Sequence, residues 1–247
     1  MRTRFLLPLA ALLVPAALAA QNRVDSAQVA ASEAKIRVAI AFLDQTWAQT
    51  FKTLGRPYVT PRVVGYDDFV LTACGRVSGM NAYACSLDGT ISYNRSFVAL
   101  LMAKTARAIG TDGDMGAIFP IAHEWGHAVQ HLLGLDYSSA VDRVESDADC
   151  LAGSAVAEAD AEGYLQPGDL AETEYALGLV GDAPLVRGEW GKMIESINAQ
   201  APLGSVPVLT NARGDHGNAR ERVAAFHRGM KSGARSCVLG IPLRPGG

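Results

Sequence analysis

The sequence predicts an α+β domain, mostly helical with a small β-sheet. Three observations carry this reading. Several long stretches repeat apolar residues at helical spacing. Two short stretches, residues 58–66 and 90–94, have the look of strands. No internal repeat, low-complexity run or linker divides the chain, so one domain is expected over residues 21–247. A hydrophobic fraction of 49% and a charged fraction of 19% suit a globular core. The net charge is −3 and there is no Lys/Arg cluster, so no nucleic-acid partner is expected.

At the start of the chain, Arg2 and Arg4 precede an apolar run from Phe5 to Leu18 that is interrupted by Pro8 and Pro15. Ala17-Leu18-Ala19 offers a small-residue cleavage site. The pattern predicts a signal peptide over residues 1–20 and an exported protein, periplasmic or secreted. The competing reading is an uncleaved segment that anchors the chain to the inner membrane, and membrane association is expected only in that case. The run is short for a span and holds two prolines, which weighs against it.

Residues 26–51 carry Ile36, Val38, Ile40, Phe42, Leu43, Trp47 and Phe51 and predict a long helix, ended by Gly55-Arg56-Pro57. This helix either packs on the core or covers a cleft. Residues 58–66 read as a strand in which Pro61 marks an edge or a bend. A loop is expected from Thr72 to Cys85, then a strand over 90–94 after the Asp88-Gly89 turn. A helix over 96–109 and a glycine-rich connection over 110–116 follow. The next helix either starts at Pro120 or is kinked there, with Gly134 as its C-cap. Further helices are expected over 141–159, from Pro167-Gly168-Asp169-Leu170 to about Val180, over 188–200 and over 218–230, with a loop at 202–208.

The helix after Pro120 contains His123-Glu124-Trp125-Gly126-His127, an H-E-x-x-H pattern. Positions i and i+4 lie one turn apart on one helix face, so both imidazoles can meet a single Zn²⁺. Glu124, beside the ion, is placed to take a proton from the water that a metal activates. A catalytic zinc usually has three protein ligands and one open position. Leu133 and Gln130 rule out the longer H-E-x-x-H-x-x-G-x-x-H arrangement. His131 is too far along the same helix, about 12 Å from His123 at 1.5 Å per residue. Glu145, 18 residues after His127, leaves room for a loop and a returning helix and is the expected third ligand. Asp149 lies one turn further on that face, where it can accept a hydrogen bond from the second nitrogen of a ligand imidazole. Late in the chain, His216 is a candidate catalytic donor to a carbonyl under attack, with Arg222 as the alternative donor. The plainer reading gives Asp215-His216-Gly217 a helix-start role. Trp125 and Phe226 read as core, His227 as surface.

Four cysteines, Cys74, Cys85, Cys150 and Cys237, allow three pairings. Cys74 with Cys85 would close a local loop. Cys150 with Cys237 would then tie the middle of the chain to its C-terminal part. A cysteine metal site is not expected, since no C-x-x-C spacing occurs.

A-H-E-x-G-H-x-V-Q over residues 122–130, with A-D-C-x-A-G over 148–153, resembles the bacterial neutral zinc metallopeptidases. Ala73-Cys74-Gly75, Cys85, Asp88 and Thr90-Ile91-Ser92-Tyr93 match the same family, as do His216-Gly217, Arg222, Phe226, Arg228, Gly229 and Ser232-Gly233. Departures fall at Ala128, Glu221 and Ala225. The resemblance implies a zincin-like metallopeptidase domain acting on a protein or peptide. It implies one catalytic zinc held by His123, His127 and Glu145, Glu124 as base, and cysteines in structural pairs. Two other classes compete: a zinc-containing envelope protein that binds a partner without catalysis, and a structural envelope domain in which the motif is accidental. The intact Glu124 argues against the first, and the Glu145/Asp149 spacing against the second.

Overall fold

The computed structural model describes residues 24–140, 143–181 and 216–244. Among them the helices are α1 (Ser26–Thr53), α2 (Arg95–Ile109), α3 (Asp114–Leu132), α4 (Val144–Ala161), α5 (Asp169–Val180), α6 (Ala219–Ser232) and the short α7 (Ala234–Cys237). The strands are β1 (Arg62–Tyr66), β2 (Phe69–Thr72), β3 (Gly75–Ser78), β4 (Ala82–Cys85) and β5 (Thr90–Asn94). The class is the expected one, mostly helical with a small mixed sheet. The expected signal peptide, the helix over 188–200 and the loop over 202–208 lie outside the described residues.

Helix α3 is the centre of the fold and packs on α1, α2, α4 and α5. Its Phe119, Ile121, Trp125 and Val129 are all within 1% of full burial. Burying a large apolar side chain of this kind stabilises by about 1.5–3 kcal/mol, which is why the helix tolerates Pro120 in its second turn. Of the two readings of Pro120, a helix start or a kink, the start fails: the helix begins at Asp114 and Pro120 lies inside it. The cause is distant: Glu172 on α5 accepts the orphan amides of Gly113 (3.1 Å) and Met115 (3.0 Å) and so caps α3 from outside. Gly134, with φ 67°, ends the helix in the expected way.

Helix α1 packs on the core instead of lying over a cleft. Ile36, Ala39, Leu43, Trp47 and Phe51 form its buried stripe, while Val38 points out and is 64% exposed. The three-stranded sheet has the order β1-β5-β4, with β1 parallel and β4 antiparallel to a fully buried β5. β1 begins only after Pro61 and pairs on one side, as its proline suggested. The stretch expected to be a loop from Thr72 to Cys85 is instead a β2–β3 hairpin followed by β4. The hairpin strands are short and lie mostly at the surface, so no apolar alternation announces them. Two disulfides, Cys74–Cys85 and Cys150–Cys237, staple the hairpin to β4 and α4 to α7.

Close backbone crossings set the helix spacing. A Cβ on Gly126 would sit 2.7 Å from the Ala148 carbonyl oxygen, so only glycine lets α3 and α4 touch here. Gly229 does the same for α6, where a Cβ would collide with the Cys150 carbonyl.

Candidate metal centre

The α3–α4 crossing at Gly126 brings the predicted site residues together. His123 Nε2 lies 3.1 Å from Glu145 Oε2, His127 Nε2 lies 3.3 Å from the same oxygen, and the two Nε2 atoms are 3.2 Å apart. Two imidazole nitrogens and a carboxylate oxygen are a donor set suited to zinc. With metal–ligand bonds of about 2.0–2.1 Å, the edges of a tetrahedron are about 3.3 Å long, and these separations match that size. The three residues form a group that could hold one metal ion.

The backs of the two histidines are held by different chemistry. Asp149 Oδ1 accepts from His123 Nδ1 at 2.7 Å, as the spacing on α4 suggested. Asp149 is fully buried, and an isolated carboxylate there would cost several kcal/mol. Arg222 on α6 offsets this, donating from Nε to Oδ2 (2.8 Å) and from Nη2 to Oδ1 (2.7 Å), with Nη1 on the Val180 carbonyl (3.1 Å). The guanidinium is thus committed to Asp149, which removes Arg222 as a donor to substrate. Gln130 lies 3.0 Å from His127 Nδ1 through its Oε1.

The charges suit a cation. Burial pulls the His123 pKa down, but Asp149 and Glu145 outweigh it and raise it to about 10. Burial likewise works against a charged His127, and Glu145 again prevails and raises it. Burial favours a neutral Glu145, yet the two imidazoles hold its carboxyl well below the usual carboxylate range.

Glu124 is buried (8% exposed) on the same helix. Its charge is felt by Tyr66, whose phenol is pushed up to about 12, first by burial and then by Glu124. The Tyr66 hydroxyl meets the carbonyls of Gly79 (3.1 Å) and Asn81 (3.2 Å) and ties β1 to the turn before β4. A cavity of about 50 Å³ between β4, β5 and α3 has His127 and Ala128 on one side and Ala84, Cys85 and Ile91 on the other.

His216 stands at the edge of the cluster, its Nε2 3.4 Å from Glu145 Oε2 and its side chain 40% exposed. Burial lowers its pKa. The cap of α6 is Asn218, not the preceding residues: its side chain accepts from Arg220 and Glu221, and Glu221 completes a capping box. His216 is therefore free of the helix-start role. Trp125 and Phe226 are core and His227 is half exposed, paired with Glu174.

The sequence reading missed Gln130, Tyr66 and the true partner of Arg222. For Gln130 a signal existed, because i+3 from His127 is the same helix face. For the other two there was none, since their partners lie on other elements.

A family model described as "Putative neutral zinc metallopeptidase" matches residues 6–238. The uncharacterized protein YpfJ of Escherichia coli strain K12 is 31% identical over 211 residues, 79% of this chain and 67% of that relative. YpfJ of Escherichia coli O6:H1 strain CFT073 gives the same figures. No solved structure gives a significant match.

Proposed function

The chain belongs to that neutral zinc metallopeptidase family, and from this premise we propose that it is an exported, zinc-dependent enzyme that hydrolyses peptide bonds. The observation that carries the reading is the convergence of His123 Nε2, His127 Nε2 and Glu145 Oε2 on one point, with Glu124 beside them on α3. One zinc ion bound there supplies a Lewis acid that acidifies water and polarises a carbonyl. Glu124 takes the proton of the attacking water and returns it to the leaving amine. His216, whose pKa burial lowers, donates to the carbonyl oxygen as negative charge builds there. Asp149 holds the His123 ring in place.

Export is supported by the basic and apolar start of residues 1–20 and by the two disulfides, which suit an oxidising compartment. No helix among the described residues is long and apolar enough to cross a membrane.

The test is hydrolysis of an unfolded mixed protein substrate by zinc-loaded residues 21–247, beside Glu124→Gln at equal zinc content. The expected result is cleavage by the first and none by the second. Zinc-loaded protein that cleaves nothing, wild type included, favours a binding role in place of catalysis.

A further inference from the structure

Gln130 is 5% exposed and uses both ends of its amide. Oε1 faces His127 Nδ1 at 3.0 Å, and Nε2 donates to the main-chain carbonyl of Val144 at 2.8 Å. The direction of this relay is forced. A main-chain carbonyl only accepts, so the NH₂ end of the amide must face Val144. The amide oxygen is then left for His127, and it too only accepts. Nδ1 must therefore carry a proton, so in the neutral ring that a metal ligand requires, Nε2 presents its lone pair to the point shared with His123 and Glu145. Val144 directly precedes Glu145 at the start of α4. One buried amide thus touches a histidine of α3 and the turn that carries the carboxylate of α4.

We propose that Gln130 is a positioning residue of the metal site. It fixes His127 in the Nδ1–H tautomer, and it holds the first turn of α4 so that Glu145 reaches the same point as the two imidazoles. The inference rests on the zinc reading above. It assigns Gln130 no contact with substrate.

Two variants separate its two arms. Gln130→Leu keeps the approximate volume and removes both hydrogen bonds. Gln130→Glu keeps an acceptor for His127 but sets a carboxylate oxygen against the Val144 carbonyl. Residues 21–247 of each are loaded with zinc, and melting confirms that they fold. Zinc affinity is measured by chelator competition, and the imidazole N–H protons are followed by ¹⁵N-resolved NMR. Gln130→Leu should bind zinc about 10–100-fold more weakly, the usual loss when the partner behind a metal ligand is removed, and should lose the slowly exchanging His127 Nδ1–H signal. Gln130→Glu should keep that signal and still bind zinc more weakly than wild type. Wild-type affinity together with a retained Nδ1–H signal in Gln130→Leu overturns the proposal and leaves the zinc reading standing. Should Gln130→Leu not fold, loss of the Nδ1–H signal in Gln130→Glu overturns the relay. A wild-type protein that takes up no zinc overturns both.

Discussion

Helix α3 carries a cluster of metal-ligand residue types near each end, and the two differ in what their lone pairs are doing. At the N-terminal end, Asp112, Asp114 and Glu172 lie close enough to share an ion. A cation of the protein already sits among them: Lys35 Nζ lies 2.7 Å from one oxygen each of Asp112 and Asp114, Glu172 accepts two backbone amides, and Asp114 Oδ1 is buried without a partner. In the other cluster, the second nitrogen of each histidine is held by a dedicated partner. Their Nε2 atoms meet around Glu145 with no lysine or arginine of the described residues between them. The contrast teaches that proximity of ligand types is a weak sign of a metal centre. What separates the two clusters is whether a cation of the protein already neutralises the carboxylates, as Lys35 does in the first.

The comparison can be broken most directly at the ligands. Glu145→Ala should reduce zinc content to background, while Asp114→Ala should leave it at wild-type level; metal analysis of both proteins decides, and zinc retained in Glu145→Ala removes Glu145 as a ligand. Next in size is Arg222→Ala, which leaves Asp149 buried without its cation. A loss of about 3–5 kcal/mol of stability is expected, measured by denaturant unfolding, with Arg222→Lys recovering part of it. Glu172→Gln keeps its shape but weakens the cap of α3, and should cost about 1–3 kcal/mol with zinc content per folded molecule unchanged. The smallest effect belongs to Lys35→Met. Its ion pairs are partly exposed, so about 0–1 kcal/mol is expected.

Metal removal adds a pH signature to the same contrast. In the chelated protein the folded-state pKa of His123 is raised to about 10 from an ordinary 6.5. A raised pKa contributes stability that is fully present below about pH 6.5 and lost as pH climbs toward 10. The chelated protein should melt at progressively lower temperature across that window, and the zinc-loaded protein should not. Equal slopes in the two would mean that the metal does not displace this proton.

Much of this site was legible in the sequence because helical spacing is a strong rule. Positions 123, 124 and 127 fix one another on one helix, and 145 and 149 do so on the next. A loop of plausible length joins the two helices. What escaped was whatever depends on how helices cross. Gln130 entered as a residue that was not glycine and as the last letter of the family motif, with no role attached. Arg222 read as a possible donor to substrate because nothing local says that Asp149, on another helix, faces it. The early start of α3 was hidden for the same reason, since its cap comes from Glu172. The β2–β3 hairpin escaped for a different one: its side chains lie mostly at the surface and carry no periodic apolar signal.

The link between Cys150 and Cys237 spans 87 positions, and its first half lies next to Asp149. The helix that neutralises Asp149, α6, also belongs to this late part of the chain. A growing polypeptide that has made α3 and α4 therefore holds the histidines and Glu145, but not the guanidinium that lets Asp149 be buried. A chain truncated before residue 216 therefore lacks the cation that pairs with Asp149 behind His123.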